Sequence, residues 1–406
     1  MFFSQFSGNQ PKIRQIFLVL FFLLIGWYLF LATKHYFNAR LLWNDEEAVF
    51  NNVKQFSVYQ LFHEELVNDQ VFPRVYLFLI QAVSKIFDYS RLSLRFLPFV
   101  CMLSAFFLWL KIGRRAITDS WAYLVFILSW CASVMLIYYA AELKQYSMDV
   151  LAAAIFIWFL YKQKDWESSK KKRSYLLILS ALPLLGFFSY PAFFFMLFPL
   201  YNMIISKKNL RAIGLPGLCY GASLISVFFI SYFFDMRLRH TGVVAEGWAD
   251  YFISFSSPGA FFKTFGEGTI NLFSRWFAEQ PRIIKKISIF FFSLGLINMF
   301  HSFFVNFKKN GYYLNSIETL ALVIYSESFF FGALKKYPFT VPRTSLFFCP
   351  VILYLTVQAI FKLRTINKPL FYVVLTLYVC FLTVISFLLS RLIIAGDMGA
   401  EPVLWR

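Results

Sequence analysis

Long apolar runs separated by short clusters of charge set the pattern of this sequence. Runs of spanning or near-spanning length fall at residues 16–33, 95–110, 121–139, 147–161, 175–190, 191–205, 212–234, 287–305, 316–333, 345–361 and 369–391. A helix that crosses a bilayer needs about 20 predominantly apolar residues, so the pattern predicts an all-α integral membrane protein. The run at 175–205 is too long for one span, since a single helix would measure about 46 Å at 1.5 Å per residue. Two short helices broken near Tyr190-Pro191 resolve this, because proline disfavours helical geometry in the residue before it. The first run follows Lys12 and Arg14 and has no small-residue cleavage pattern after it. It reads as an uncleaved first transmembrane helix rather than a leader peptide.

Residues 73–87 form a shorter, ambiguous run that carries Arg74, Gln81 and Lys85. Charge decides how it is read. If 73–87 lies on the surface rather than spanning, the clusters Lys12/Arg14, Lys111/Arg114/Arg115, Lys162/Lys164/Lys170/Lys171/Lys172/Arg173, Lys207/Lys208/Arg211, Lys308/Lys309 and Lys362/Arg364/Lys368 all share one side. Only Asp119, Asp165 and Glu167 accompany them as acids. Cytoplasmic loops carry the excess of Lys and Arg, which selects about eleven spans with the N-terminus inside and the C-terminus outside. Residues 73–87 then become an amphipathic interfacial helix on the outer face. The chain reads as a single polytopic membrane domain, 1–406, with two large outer loops at 34–93 and 235–286 that hold interfacial helices. Trp248, Phe252, Phe255, Phe261, Phe262 and Trp276 give the second loop its apolar side.

Composition agrees. The sequence is 59% hydrophobic, 22% aromatic and only 15% charged, against about 25% charged in a soluble domain. This excludes a soluble enzyme, a disordered chain and a nucleic-acid-binding domain. The net charge of +18 belongs to the loops between spans.

Three clusters fall on the predicted outer face. The first is Asn44-Asp45-Glu46-Glu47, directly after the first span. One reading is a solvated helix start, with Asn44 as cap and acids suited to the helix dipole. The other is a carboxylate at the lipid–water boundary that takes a proton from an acceptor hydroxyl. The second is the turn Tyr138 to Asp149, in which Glu142, Tyr146 and Asp149 stand at i, i+4 and i+7 and are expected to share a helix face. Together with Tyr139 they form a candidate substrate-binding surface; an internal ion-pair network is the alternative. The third is Lys335-Lys336-Tyr337-Pro338 to Arg343. Its cations suit a lipid phosphate, which arginine grips with two parallel hydrogen bonds, or else they only snorkel to the headgroups. Cys101, Cys131, Cys219, Cys349 and Cys380 all lie in apolar runs and read as packing residues. His35, His63, His240 and His301 form no ligand motif, although His63 precedes Glu64-Glu65. No metal site and no cofactor is expected.

These clusters, taken in order, resemble the GT-C superfamily of membrane glycosyltransferases, and within it the branch of protein O-mannosyltransferases and lipid A aminoarabinose transferases. The resemblance covers most of the chain. It rests on Leu-Trp-x-Asp-Glu at Leu42 to Glu46, the segment from Pro73, Arg-x-Leu-Pro at Arg95 to Pro98, Tyr-x-x-Glu-x-x-x-Tyr at Tyr139 to Tyr146, and Tyr-Pro-Phe-x-x-x-Arg at Tyr337 to Arg343. Asn44 stands where the family often has Pro or Gly, and Asp69 is the nearest match to a second acid in the first loop. The resemblance implies an inverting glycosyltransferase, with Asp45 and its neighbour Glu46 as the catalytic acids. Lys335, Lys336 and Arg343 are the leading donor-phosphate ligands, with Lys144 and Arg95 behind them; Glu142, Tyr139, Tyr146, Asp149 and Tyr337 would line the substrate site. The donor would be a polyprenyl-phosphate sugar and the acceptor a lipid, glycan or protein hydroxyl. The expected location is the bacterial inner membrane, as part of cell-envelope chemistry. A transporter or a lipid or polysaccharide flippase is the competing class. It would carry ionisable residues near the midplane, where Glu318 and Glu327 are the nearest here, and it would show internal repeats, of which the sequence has none.

Overall fold

The computed structural model describes residues 11–168, 172–207, 214–235, 237, 251–277, 282–309, 312–338 and 340–398. Among these there is no strand. His240, Glu246, Trp248, Asp250, Glu279, Phe339, Lys170, Lys171, Lys208 and Arg211 lie outside the described residues, as do the side chains of Asp69, Lys164, Glu167, Lys172, Arg173 and Lys207.

The chain opens with α1 (Pro11–Phe37), followed by the short helices α2 (Asn44–Gln55) and α3 (Val58–His63) and the amphipathic α4 (Arg74–Ile86). The expected cap at Asn44 is not used. Trp43 occupies the cap position without a side-chain bond, and Asn44 is already helical. Asp45, Glu46 and Glu47 therefore fill the first turn, where acids suit the exposed N–H groups and the positive end of the dipole. Ser57 and Gln60 form a reciprocal capping box at the start of α3. Buried polar side chains bind this small layer together. Asn52 donates to Val67 O at 3.1 Å and accepts from Val67 N at 2.8 Å, and Gln81 of α4 donates to Val53 O and Phe56 O at 2.9 and 2.6 Å.

Then come α5 (Arg91–Ala116), α6 (Ser120–Ala132), α7 (Val134–Tyr138) and α8 (Tyr146–Ser168). Asp119 caps α6 through Trp121 N and Ala122 N at 2.8 and 3.1 Å. At Ser133 the chain leaves helical geometry, and the segments Ser120–Ala132 and Val134–Ala141 meet at 61°. α9 (Lys172–Ala181) continues into two 3₁₀ stretches, Leu182–Phe187 and Tyr190–Phe195, with Ser189 extended between them. The break expected near Tyr190-Pro191 is thus present. α10 (Phe198–Lys207) and α11 (Gly214–Phe234) follow. In the second loop, α12 (Pro258–Phe261) runs through a π-helical turn into α13 (Gly268–Arg275). The chain closes with α14 (Arg282–Lys309), α15 (Ile317–Ala333), α16 (Cys349–Ile366) and α17 (Lys368–Ala395), the last ended by Gly396 at φ 77°.

Among the described residues, six stretches are long and apolar enough to cross a bilayer: Lys12–Phe37, Arg91–Ala116, Gly214–Phe234, Arg282–Lys309, Leu346–Ile366 and Lys368–Ala395. The bent pair at Ser133 makes a seventh if it counts as one span. Ser174–Phe187 and Tyr190–Ile205 are apolar but shorter. α16 is the most enclosed and packs on α14, α6 and α17; α5 lies along α8 and against α4. One end of this bundle gathers the tail of α1, the starts of α2, α5 and α8, and the segment 334–348 that leads into α16.

Candidate functional site

The site grows from Glu46. It is fully buried, and a buried carboxylate needs both opposite charge and hydrogen bonds. Arg95, at the start of α5, supplies both: Nε reaches Oε1 at 2.9 Å and Nη2 reaches Oε2 at 2.7 Å. Arg40 Nη1 donates to Oε2 at 2.8 Å, and the backbone N–H of Leu143 donates to Oε1 at 2.8 Å. Arg95 also donates to Arg40 O and Leu41 O. This knot fixes the α1–α2 connection against α5 and the turn before α8.

Asp45, next in the same helical turn, faces outward. Its Oδ2 accepts from Arg343 Nη1 at 2.6 Å, and Lys144 Nζ stands 3.8 Å away. The Asp45 and Arg343 side chains remain 28% and 26% exposed, against 0% and 1% for Glu46 and Arg95. Of these two acids, Asp45 is therefore the one that an incoming molecule can reach, and Glu47 beyond it is exposed. Lys144 also donates to Gln70 Oε1 at 2.7 Å. The Arg343 guanidinium sits 6.0 Å from the Trp43 ring and that of Arg40 4.8 Å from Tyr138.

Glu142 is wholly buried, and neither carboxylate oxygen finds a hydrogen-bond partner among the described residues. Burial, followed by the nearby Glu46, pushes its carboxyl up to about 8. Burial likewise pushes the Lys144 ammonium down to about 8, against the pull of Asp45 and Glu142. Both effects follow from removing charge from water.

The structure departs from the sequence reading at two points. Glu142 does not share a helix face with Tyr146 and Asp149, because it is in extended geometry and α8 begins only at Tyr146. The three still cluster around Tyr146, whose ring meets that of Tyr139 edge-on at 5.0 Å. Second, Lys335 and Lys336 do not join Arg343. They lie exposed on the turn after α15 and make no side-chain hydrogen bond or ion pair among the described residues, Lys335 at a backbone φ of 55°. Tyr337 turns inward, donating to Thr344 O at 2.5 Å and packing on Phe194. Asp149 is buried one turn beyond Tyr146, and its Oδ1 has no partner among the described residues. Arg95 serves Glu46 rather than an open surface.

Sequence reasoning missed Arg40, Gln70 and Trp43 as site residues. A cation six positions before Glu46, at the end of a span, was the available sign for Arg40. Nothing local marks Gln70. Among the described residues, no three His, Cys, Asp or Glu side chains gather as a metal site. No family model, curated protein or solved structure matches the chain.

Arg40, Arg95, Lys144 and Arg343 face Asp45, Glu46 and Glu142, with Asp149 buried beyond Tyr146, so four cations meet four acids when every group is ionised and outnumber them when Glu142 is protonated. With Glu142 protonated, the partly exposed Arg343 and the buried Lys144 carry positive charge that Asp45 alone does not balance.

Proposed function

We propose that this protein is an inverting membrane glycosyltransferase that moves a sugar from a polyprenyl-phosphate donor to a hydroxyl of a lipid, glycan or protein acceptor. The observation that carries this reading is the 2.6 Å contact between Asp45 and Arg343. It joins an acid just after α1 to a cation just before α16, 298 positions apart, at one partly open site.

The chemistry follows from the two groups. Without substrate, each neutralises the other. A lipid phosphate entering beside Arg343 and Lys144 competes for the guanidinium, which can hold two phosphate oxygens at once. Asp45 is thereby released as a free carboxylate. It accepts the proton of the acceptor hydroxyl, whose oxygen attacks the anomeric carbon from the side opposite the leaving group. The bond from that carbon to the phosphate oxygen breaks, and its electron pair leaves with the lipid phosphate. Arg343 and Lys144 stabilise the charge that builds up there, in surroundings where fixed cations act strongly.

This reading includes about eleven spans, a cytoplasmic N-terminus and a site on the outer face, an orientation that the distribution of basic residues supports, in a bacterial inner membrane. Its test is transfer from a synthetic polyprenyl-phosphate sugar by purified protein. Asp45→Asn should stay folded and lose about 10²–10⁴ in rate, the usual worth of a general base. Unchanged turnover would remove Asp45 from the mechanism.

A further inference from the structure

One buried group in the site, Glu142, has no place in that reaction. Glu142 lies buried near Glu46, Arg40 and Arg343 with both oxygens unpaired among the described residues. Lys144 lies beside it, its backbone N–H bonded to Glu142 O at 2.8 Å and its ammonium divided between Gln70 and Asp45. The charged and titratable groups facing Glu142 are Glu46 from α2, Arg40 from the α1–α2 connection, Tyr138 and Tyr139 from the end of α7, Lys144 and Tyr146 from the turn into α8, and Arg343 from the segment before α16. An ionised Glu142 in that cage has no hydrogen bond to hold its charge, and a protonated one leaves the cations with less to balance them.

We propose that Glu142 and Lys144 act as one proton-binding unit beneath the anion site, and that this unit takes up a proton from solvent when a phosphate occupies Arg343 and Lys144.

The inference deepens the proposed function and rests on its phosphate site. Groups this close titrate as a pair, so the proton belongs to the unit rather than to either residue. Both members are displaced toward about 8, from opposite directions. Below that pH the unit already holds its proton and the site presents its largest positive surplus. As pH rises past about 8 the proton is lost and the surplus shrinks. A phosphate anion favours the protonated unit, so binding and proton uptake must strengthen each other equally.

The test titrates farnesyl phosphate into the detergent-solubilised full-length protein. Affinity should be nearly flat from about pH 7 to about pH 8 and then weaken by up to about tenfold per pH unit, the slope of one linked proton. Calorimetry above pH 8 on the unmodified protein should give a binding enthalpy that changes with the ionisation heat of the buffer. The two variants should move the onset in opposite directions. Glu142→Gln removes the carboxylate that holds the proton on Lys144 and shifts the onset to lower pH. Lys144→Met removes the cation that favours ionised Glu142 and shifts it higher. A flat profile with no buffer dependence in the unmodified protein would overturn the inference and leave the phosphate site standing; so would an onset that neither variant moves. Failure to bind farnesyl phosphate at any pH would refute the phosphate site itself, and the inference with it.

Discussion

At the scale of single residues, two neighbouring acids have opposite fates because one helical turn points them in different directions. Glu46 is sealed among two arginines and a backbone N–H; Asp45 keeps part of its surface open. The difference predicts a reversal between stability and activity. Glu46→Gln leaves Arg95, itself 1% exposed, without a full counter-charge. Breaking a buried pair from one side costs about 3–5 kcal/mol, and thermal unfolding in detergent should show that loss directly. Asp45→Asn should change stability by less than about 1 kcal/mol while removing transfer. If both variants melt like the parent protein, Glu46 is not the anchor described here. Position along the chain put three adjacent acids at the membrane boundary but did not rank them, because ranking depends on Arg40 and Arg95, which only the folded structure brings in.

Among elements, the placement of Arg343 depends on a contact between the second loop and the segment before α16. Trp276 Nε1 donates to Pro342 O at 3.3 Å, and Thr340 Oγ1 donates to Tyr251 O at 3.1 Å. Gly268, at the start of α13, lies against Thr340 so closely that a Cβ there would stand 2.3 Å from its Cγ2. The threonine is short and branched and has no flexible end to move aside, so its backbone must shift instead. Gly268→Ala should cost about 1–3 kcal/mol, as overpacking does, and should lower transfer more than a substitution at exposed Ser256. Equal activities would detach the second loop from the site. Much of this architecture was readable. The apolar runs and the break at Tyr190-Pro191 follow from local chemistry. The bend at Ser133 was not, since Ser133 is stabilised by Trp276, whose carbonyl accepts its hydroxyl at 3.1 Å from 143 positions away. Lys335 and Lys336 stand outside the ion cluster for a related reason. They are close to Arg343 in sequence, but the left-handed turn at Lys335 carries them outward.

For the molecule as a whole, the described residues form a helical membrane protein with six spans evident from length and composition, or seven with the bent pair. The fuller arrangement of about eleven spans makes a directional prediction. In intact cells, a cysteine at Ser257 should react with a membrane-impermeant thiol reagent, and one at Thr365 should react only after the cells are opened. The reverse pattern would put the ion cluster on the wrong side for a lipid-phosphate donor. The knot around Glu46 also bears on how the chain is made. Its partners come from positions 40, 95 and 143, so a ribosome must deliver three separate segments before that carboxylate is fully satisfied. Early in synthesis the acid lacks most of its support, and each later helix contributes one more strand to the knot. Arg343 emerges only after all of them, so the contact with Asp45 is a later joint than any in the knot and waits until residues 40, 95, 143 and 343 have all left the ribosome.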